Sequence, residues 1–337
     1  MLLFFLNLTK TNNYAKITIR KNGGEGMETI SLTKKRFETL KPYELPNYVY
    51  NTEGTLYILP IKNRWATGYK LLKRLYLTNG RVFGNKLQTI NSLIDNRSEL
   101  NIPEIVFPEK IATVGGEIVG FTMPLIESIN LSTALRSREI SNERKINYLK
   151  QIGMILEKMK LRREYTSISD FYINDLHESN FIVDKDDNIK TIDIDSCKIN
   201  GNGIFNSKYL SRKSFINEVY KYDKNDECNN DYSYHKYSTD MTGAFIPDEN
   251  TDLYCYIIVI LNFLYGDNVG NFTLQEFYDY LEYLQYIGVD KELLSHFEKI
   301  ATCSENSNPY ELLNCLIPHI GRSNYHVYSY NRKRTSK

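Results

Sequence analysis

Apolar residues along this chain recur with two different periods, and the switches between them mark out its elements. Thr55 to Pro60 and Gly68 to Leu77 alternate as strands rich in Tyr, Ile and Leu, joined by a polar turn around Lys62-Asn63-Arg64. From Phe83 to Asn96 the apolar positions are Leu87, Ile90, Leu93 and Ile94, the spacing of an amphipathic helix. Gly115-Gly116 predicts a tight hairpin turn, with Ile118 to Leu125 as the strand leaving it. Asn142 to Met159 returns to helical spacing through Ile146, Leu149, Ile152, Ile155 and Leu156. Phe181 to Val183 and Ile189 to Ile192 form two short apolar runs around a polar turn, Asp184 to Asn188, which predicts a hairpin. Thr251 to Gly266 is apolar almost throughout and reads as a buried helix, with Thr251 or Asp252 near its N-cap and Gly266 as its C-cap. Helices are expected from Leu274 onward. The fold class is therefore α+β, with strands early and helices late.

A chain of 337 residues with 42% hydrophobic content can bury a core in one bilobal unit or two domains. Lys and Arg number 42 against 41 Asp and Glu, which gives no global electrostatic case for nucleic acid or a membrane surface as partner. Five scattered cysteines without C-x-x-C spacing point to neither a disulfide framework nor a zinc site, and a reducing cytoplasm fits them best. The opening Met1-Leu2-Leu3-Phe4-Phe5-Leu6 is too short to span a bilayer and lacks the marks of a secretory signal. Gly23-Gly24-Glu25-Gly26 precedes Met27, and codons for those residues can spell a purine-rich ribosome-binding site. Translation of a bacterial gene starting at Met27 is the resulting expectation, with residues 1–26 as an upstream segment.

The chemistry is concentrated in Asp175-Leu176-His177-Glu178-Ser179-Asn180 and Thr191-Ile192-Asp193-Ile194-Asp195. Asp and Asn beside apolar strands are ordinary turn residues when met singly. Here the expected hairpin carries Asn180 and Asp193 to a common end, a short loop away from Asp175. The first stretch fits D-L-x-x-x-N, and the interval from Asn180 to Asp193 equals that between the metal-binding asparagine and the D-F-G aspartate of kinases. Together these motifs resemble the phosphate-transfer centre of the protein-kinase-like superfamily. The resemblance covers about residues 50 to 320.

What it implies is a bilobal fold: an N-lobe over 27–126, built of a small antiparallel sheet and one helix, a mainly helical C-lobe over 127–325, and a basic tail at 326–337. It also implies ATP and Mg²⁺ as cofactors. Asp175 would orient and deprotonate the acceptor hydroxyl, Asn180 and Asp193 would bind the metal, and Lys73 in Leu71-Leu72-Lys73 would hold the phosphates. Lys70 competes for that last role, but strand alternation puts the two lysines on opposite faces. Gly54 stands where the phosphate-cradling glycine loop is expected, one glycine in place of the usual three. Met123 would back the adenine pocket, Pro124 would offer its carbonyl and Ile126 its N–H to the base. The family's Asp at the start of the central helix, here Asp252, would brace the catalytic loop by accepting backbone hydrogen bonds.

Four departures bear on activity. The helix over 83–96 offers Lys86, Gln88 and Asn91 on the stretch where active protein kinases carry a lysine-pairing glutamate; Asp95 and Glu99 lie late, and Gln88 is a possible hydrogen-bond partner for Lys73. Ile173-Asn174 replaces His-Arg ahead of Asp175, so control through that arginine is not expected. His177 stands where Ser/Thr kinases usually have lysine, as in aminoglycoside- and choline-type kinases and some atypical bacterial kinases. The segment from Asp193 to Asp252, with Tyr220, Tyr222, Tyr232, Tyr234 and Tyr237, contains no A-P-E. The leading expectation is a phosphotransferase acting on a protein Ser/Thr hydroxyl. A small-molecule kinase and a nucleotide-binding pseudokinase acting as an interaction module are the alternatives.

Overall fold

The structure, a computed structural model, describes residues 29–43, 54–62, 67–76, 80–203, 246–265 and 272–286, with single positions such as 209 and 269 and a few up to 298. Met27, the tyrosines of the 220–237 stretch, Gly266 and the basic tail lie outside the described residues. The architecture is mixed α and β, with a mostly antiparallel sheet and several helices. Two compact units divide the chain: 1–44, 50–83 and 108–125 make the first, and 45–49, 84–107 and 126–337 the second. Among the described residues no helix is long and apolar enough to cross a membrane.

The first unit is a six-stranded sheet in the order β1-β5-β6-β4-β3-β2. Its strands are β1 (Thr29–Leu32), β2 (Lys41–Pro42), β3 (Gly54–Lys62), β4 (Thr67–Leu75), β5 (Lys110–Val114) and β6 (Glu117–Pro124). All neighbours run antiparallel except β1, which adds to β5 in parallel. Gly115 and Gly116 turn the β5–β6 hairpin with φ of 61° and 94°, a left-handed pair that side chains resist. Ile30, Leu32, Leu59, Leu72, Ala112 and Val114 form the core on one face. The short helix α1 (Lys34–Glu38) lays Phe37 on that core, tilted against Tyr57 at 5.1 Å between centroids. At Gly120 the strands come so close that a Cβ would lie 1.9 Å from the Lys73 carbonyl oxygen.

In the second unit, α2 (Gly80–Leu100) contributes everything from Gly84 onward. Residues 84–107 therefore pack with those from 126 onward. The cause is visible in the helix: Leu93 and Leu100 belong to the same buried cluster as the helices that follow. Next come β7 (Ser128–Asn130), α3 (Leu131–Arg136), α4 (Asn142–Tyr165), β8 (Phe171–Tyr172), β9 (Phe181–Asp184), β10 (Ile189–Thr191), β11 (Lys198–Ile199), α5 (Glu249–Tyr265) and α6 (Leu274–Tyr286). Strands β10, β9 and β7 form one small sheet, and β11 pairs with β8.

Helix α5 is buried on every side from Thr251 to Leu261, as an almost wholly apolar helix must be. Its cap is Asp248 with Thr251 completing it three residues on: Asp248 Oδ1 accepts the Thr251 N–H at 2.9 Å, and Thr251 Oγ1 accepts the Asp248 N–H at 2.9 Å. This reciprocal pair satisfies donors on both sides of the first turn. Gly153 in the middle of α4 lets α5 approach, because a Cβ there would stand 2.9 Å from the Tyr256 hydroxyl. That hydroxyl donates to the Leu149 carbonyl at 2.7 Å.

The β9–β10 hairpin has the expected register, with Phe181 opposite Thr191 and Val183 opposite Ile189. Asp184 Oδ1 accepts the N–H groups of Asp186 and Asn188, each at 2.9 Å, and Asp187 takes φ of 63°. Gln151 of α4 fixes the turn from the side, accepting the Ile189 N–H at 2.8 Å and donating to the Asp187 carbonyl at 3.0 Å. Arg144 and Tyr148 donate to the Asp187 carboxylate at 2.5 and 2.8 Å.

Candidate functional site

The loop from β8 to β9 is held from beneath by α5. Asp252 Oδ2 accepts the Ile173 N–H and Oδ1 the Asn174 N–H, both at 2.8 Å. This is the bracing expected of Asp252. Asn174 is left-handed at φ 65°, a conformation asparagine tolerates better than most side chains, and it turns the chain toward Asp175. Its amide donates to the Ser196 carbonyl at 3.1 Å. Burial pushes the Asp252 carboxyl up to about 7, while the two N–H donors pull in the opposite direction.

Asp175 and Asn180 meet directly. Asn180 Nδ2 donates to the Asp175 carbonyl at 2.9 Å and lies 3.5 Å from Oδ2 of its carboxylate. With Nδ2 so committed, Oδ1 is the atom that Asn180 can offer a cation. The Ile192 N–H donates to the Asn180 carbonyl at 2.9 Å and closes the base of the hairpin, so Asp193 follows immediately. Asp193 is left-handed, with φ 61° and ψ 38°, and begins a short 3₁₀ turn over Ile194–Ser196. The hairpin thus brings Asp175, Asn180 and Asp193 to one end of the second unit. Among the described residues no three of His, Cys, Asp and Glu gather as a metal cluster. An amide oxygen and one carboxylate suit Mg²⁺ held mainly through nucleotide phosphates better than an all-protein cage.

His177 sits over the same loop. Its Nδ1 accepts the Ser179 N–H at 3.2 Å, which leaves Nε2, 3.6 Å from Asp175 Oδ2, to carry the proton of the neutral ring. Tyr209 stands edge-on to that ring at 6.3 Å and hydrogen-bonds the Glu178 carboxylate. Asn262 of α5 donates to the Tyr209 hydroxyl at 2.8 Å. Burial and the Glu178 charge hold the phenol protonated. This network escaped the sequence reading, since nothing in the spacing of Glu178, Tyr209 and Asn262 joins them.

The first unit carries most of the nucleotide-facing residues singled out from the sequence. Lys73 is 1% exposed in the middle of β4, opposite Leu56 and Phe121. Lys70 faces the other way and forms an ion pair with Glu109, which separates the two competing lysines. Gly54 opens β3 opposite Leu75, and a Cβ there would stand 2.3 Å from the Arg74 carbonyl oxygen, so strand packing alone demands glycine. Met123 is buried opposite Leu71, and Pro124 lies opposite Lys70. Ile126 falls in the second unit, its carbonyl accepting from the Ser128 hydroxyl at 3.2 Å.

Helix α2 differs from the expectation. Gln88, weighed as a partner for Lys73, is exposed, and Glu99 is engaged with the N–H and hydroxyl of Ser167 at 2.8 and 2.9 Å. Lys86 is buried, and its Nζ lies 3.3 Å from Asp195 Oδ2 and 3.2 Å from Ser196 Oγ. The signal was present in the sequence. Lys86, Ile90 and Leu93 share one face at i, i+4 and i+7, and a lysine on an apolar face calls for a buried counter-charge. A comparison with protein-family models finds no match to this chain, and a comparison with curated proteins finds none either.

Proposed function

We propose that this chain is an ATP- and Mg²⁺-dependent phosphotransferase of protein-kinase-like, bilobal fold that transfers a γ-phosphate to a hydroxyl, with a protein Ser or Thr as the acceptor. The observation that carries the reading is the Asn180–Asp175 hydrogen bond beside the Ile192-to-Asn180 bond that closes the hairpin just before Asp193, over a loop braced by Asp252.

In this reading Asp175 accepts the proton of the attacking hydroxyl and fixes its direction of approach. The Asn180 amide oxygen and the Asp193 carboxylate take the metal, and Lys73 takes the α- and β-phosphates. Met123, Pro124 and Ile126 serve the base, and Gly54 approaches the phosphates through its backbone. The bound ion supplies neutralisation of the charge that develops on the phosphoryl oxygens. His177 would stand beside the Asp175 carboxylate, its Nε2 3.6 Å from Oδ2.

The test is transfer of label from γ-labelled ATP, in Mg²⁺ and a cell lysate, by the wild-type chain and by Asp193→Ala. Labelled protein with the wild type and none with the variant supports the reading. Equal labelling by both overturns the metal assignment. Transfer to an amino sugar or amino alcohol but not to protein would make the acceptor a small molecule. Nucleotide binding with no transfer to any acceptor would favour a pseudokinase.

A further inference from the structure

Lys86 and Asp195 lie in the second unit with side chains 5% and 0% exposed. A buried charge without its counter-charge is strongly unfavourable, so each of these residues constrains the position of the other. Lys86 also reaches the Ser196 hydroxyl, so a single ammonium from α2 grips two consecutive residues of the 3₁₀ turn that Asp193 begins. The Asn174 amide also donates to the carbonyl of that same Ser196.

Asp193 is left-handed, which is uphill for any residue with a Cβ and persists only where the surroundings enforce it. Before Asp193, enforcement comes from the strand bonds of Thr191 and Ile192: the Val106 N–H donates to the Thr191 carbonyl at 2.9 Å, and the Ile192 N–H to Asn180. After Asp193, the fixed points are Asp195 and Ser196. The cation on α2 therefore closes the second half of the constraint.

We propose that Lys86 and Asp195 are positioning residues: their ion pair ties α2 to the turn after Asp193 and holds the Asp193 carboxylate where it meets a divalent cation. The cation part of this statement rests on the phosphotransferase reading; the tie between α2 and the turn does not. The pair puts a basic residue on the stretch of α2 where active protein kinases carry a glutamate.

The full chain would be examined with Mn²⁺ and a non-hydrolysable ATP analogue, reading Mn²⁺ affinity by electron paramagnetic resonance and amide hydrogen exchange over 192–197 by mass spectrometry. Lys86→Met and Asp195→Asn are each expected to weaken Mn²⁺ affinity by about ten-fold or more, as loss of a ligand-orienting partner does. Both should also speed exchange over 192–197, and Lys86→Arg should restore both readings. The double variant Lys86→Met/Asp195→Asn, which leaves neither charge buried, guards against a single variant that fails to fold. It should regain thermal stability without regaining Mn²⁺ affinity. Faster exchange with unchanged Mn²⁺ affinity would reduce the pair to a purely structural role and overturn the proposal. Exchange unchanged in Lys86→Met would overturn it as well. If the wild type binds no Mn²⁺-nucleotide, the phosphotransferase reading fails, and the exchange measurement by itself decides whether α2 holds the turn.

Discussion

Asn174 donates its backbone N–H to Asp252 Oδ1 at 2.8 Å across 78 positions of sequence, and that bond joins the loop of Asp175 to the most deeply buried helix of the second unit. With the matching bond from Ile173, one carboxylate satisfies two buried donors. Asp252→Ala leaves both without a partner, at about 1–3 kcal/mol each. Urea unfolding should show that loss, together with faster hydrogen exchange at 173–175.

The same carboxyl sets a pH dependence. Burial raises it from 3.8 to about 7 in the folded chain. A carboxyl raised on folding stabilises the fold fully below its unfolded value, and the contribution is lost as pH climbs to its folded value. The slope is about 1.4 kcal/mol per pH unit. Wild-type stability measured against Asp252→Asn should therefore fall between pH 3.8 and about 7 and level off above. A difference that stays constant over this window would contradict it.

At Asp193 the fold and the proposed chemistry make opposite demands. The left-handed backbone favours glycine, so Asp193→Gly should be more stable than Asp193→Ala by about 1 kcal/mol in chemical denaturation. Both variants should lose phosphotransfer. Activity retained in the glycine variant would show that the carboxylate is dispensable.

His177 accepts the Ser179 N–H and places Nε2 3.6 Å from the Asp175 carboxylate. Asparagine can accept the same N–H but does not reach Asp175. His177→Asn is expected to keep its melting temperature within a few degrees and to lower kcat by about ten-fold or more, the scale at which a misdirected catalytic group shows. Equal losses of stability and rate would instead mark a structural histidine.

Gly153 should reverse its sign with its neighbour. Ala is the better helix former by about 1 kcal/mol, yet its Cβ would press on the Tyr256 hydroxyl at 2.9 Å. Gly153→Ala is expected to destabilise the wild type and to become neutral or stabilising once Tyr256→Phe removes that oxygen. Thermal melts of the four combinations form the cycle that measures it.

The sequence made the local elements legible wherever period and chemistry agreed. The β9–β10 hairpin, α4 and α5 follow from apolar spacing and turn residues close together in the chain. The placement of Asp175, Asn180 and Asp193 was legible for the same reason, since a single hairpin and a single loop set it. Partners far apart in sequence were not. The parallel pairing of β1 with β5 joins residues some eighty positions apart, and no local pattern encodes it. Lys86 and Asp195 are separated by 109 positions, and only the misplaced charge on an apolar stripe hinted at the bond. The Asp248 cap was passed over because Thr251 and Asp252 are equally good capping residue types, and only geometry separates the three.

The close approach at Gly120 has an evolutionary corollary. A methyl group there would collide with the carbonyl of Lys73, so the position cannot drift to alanine or serine without displacing the backbone that carries the lysine. In a saturation library selected for folded protein, residue 120 should stay glycine almost without exception. That fixation would arise from the strand's geometry, and selection for any activity would not be needed to explain it.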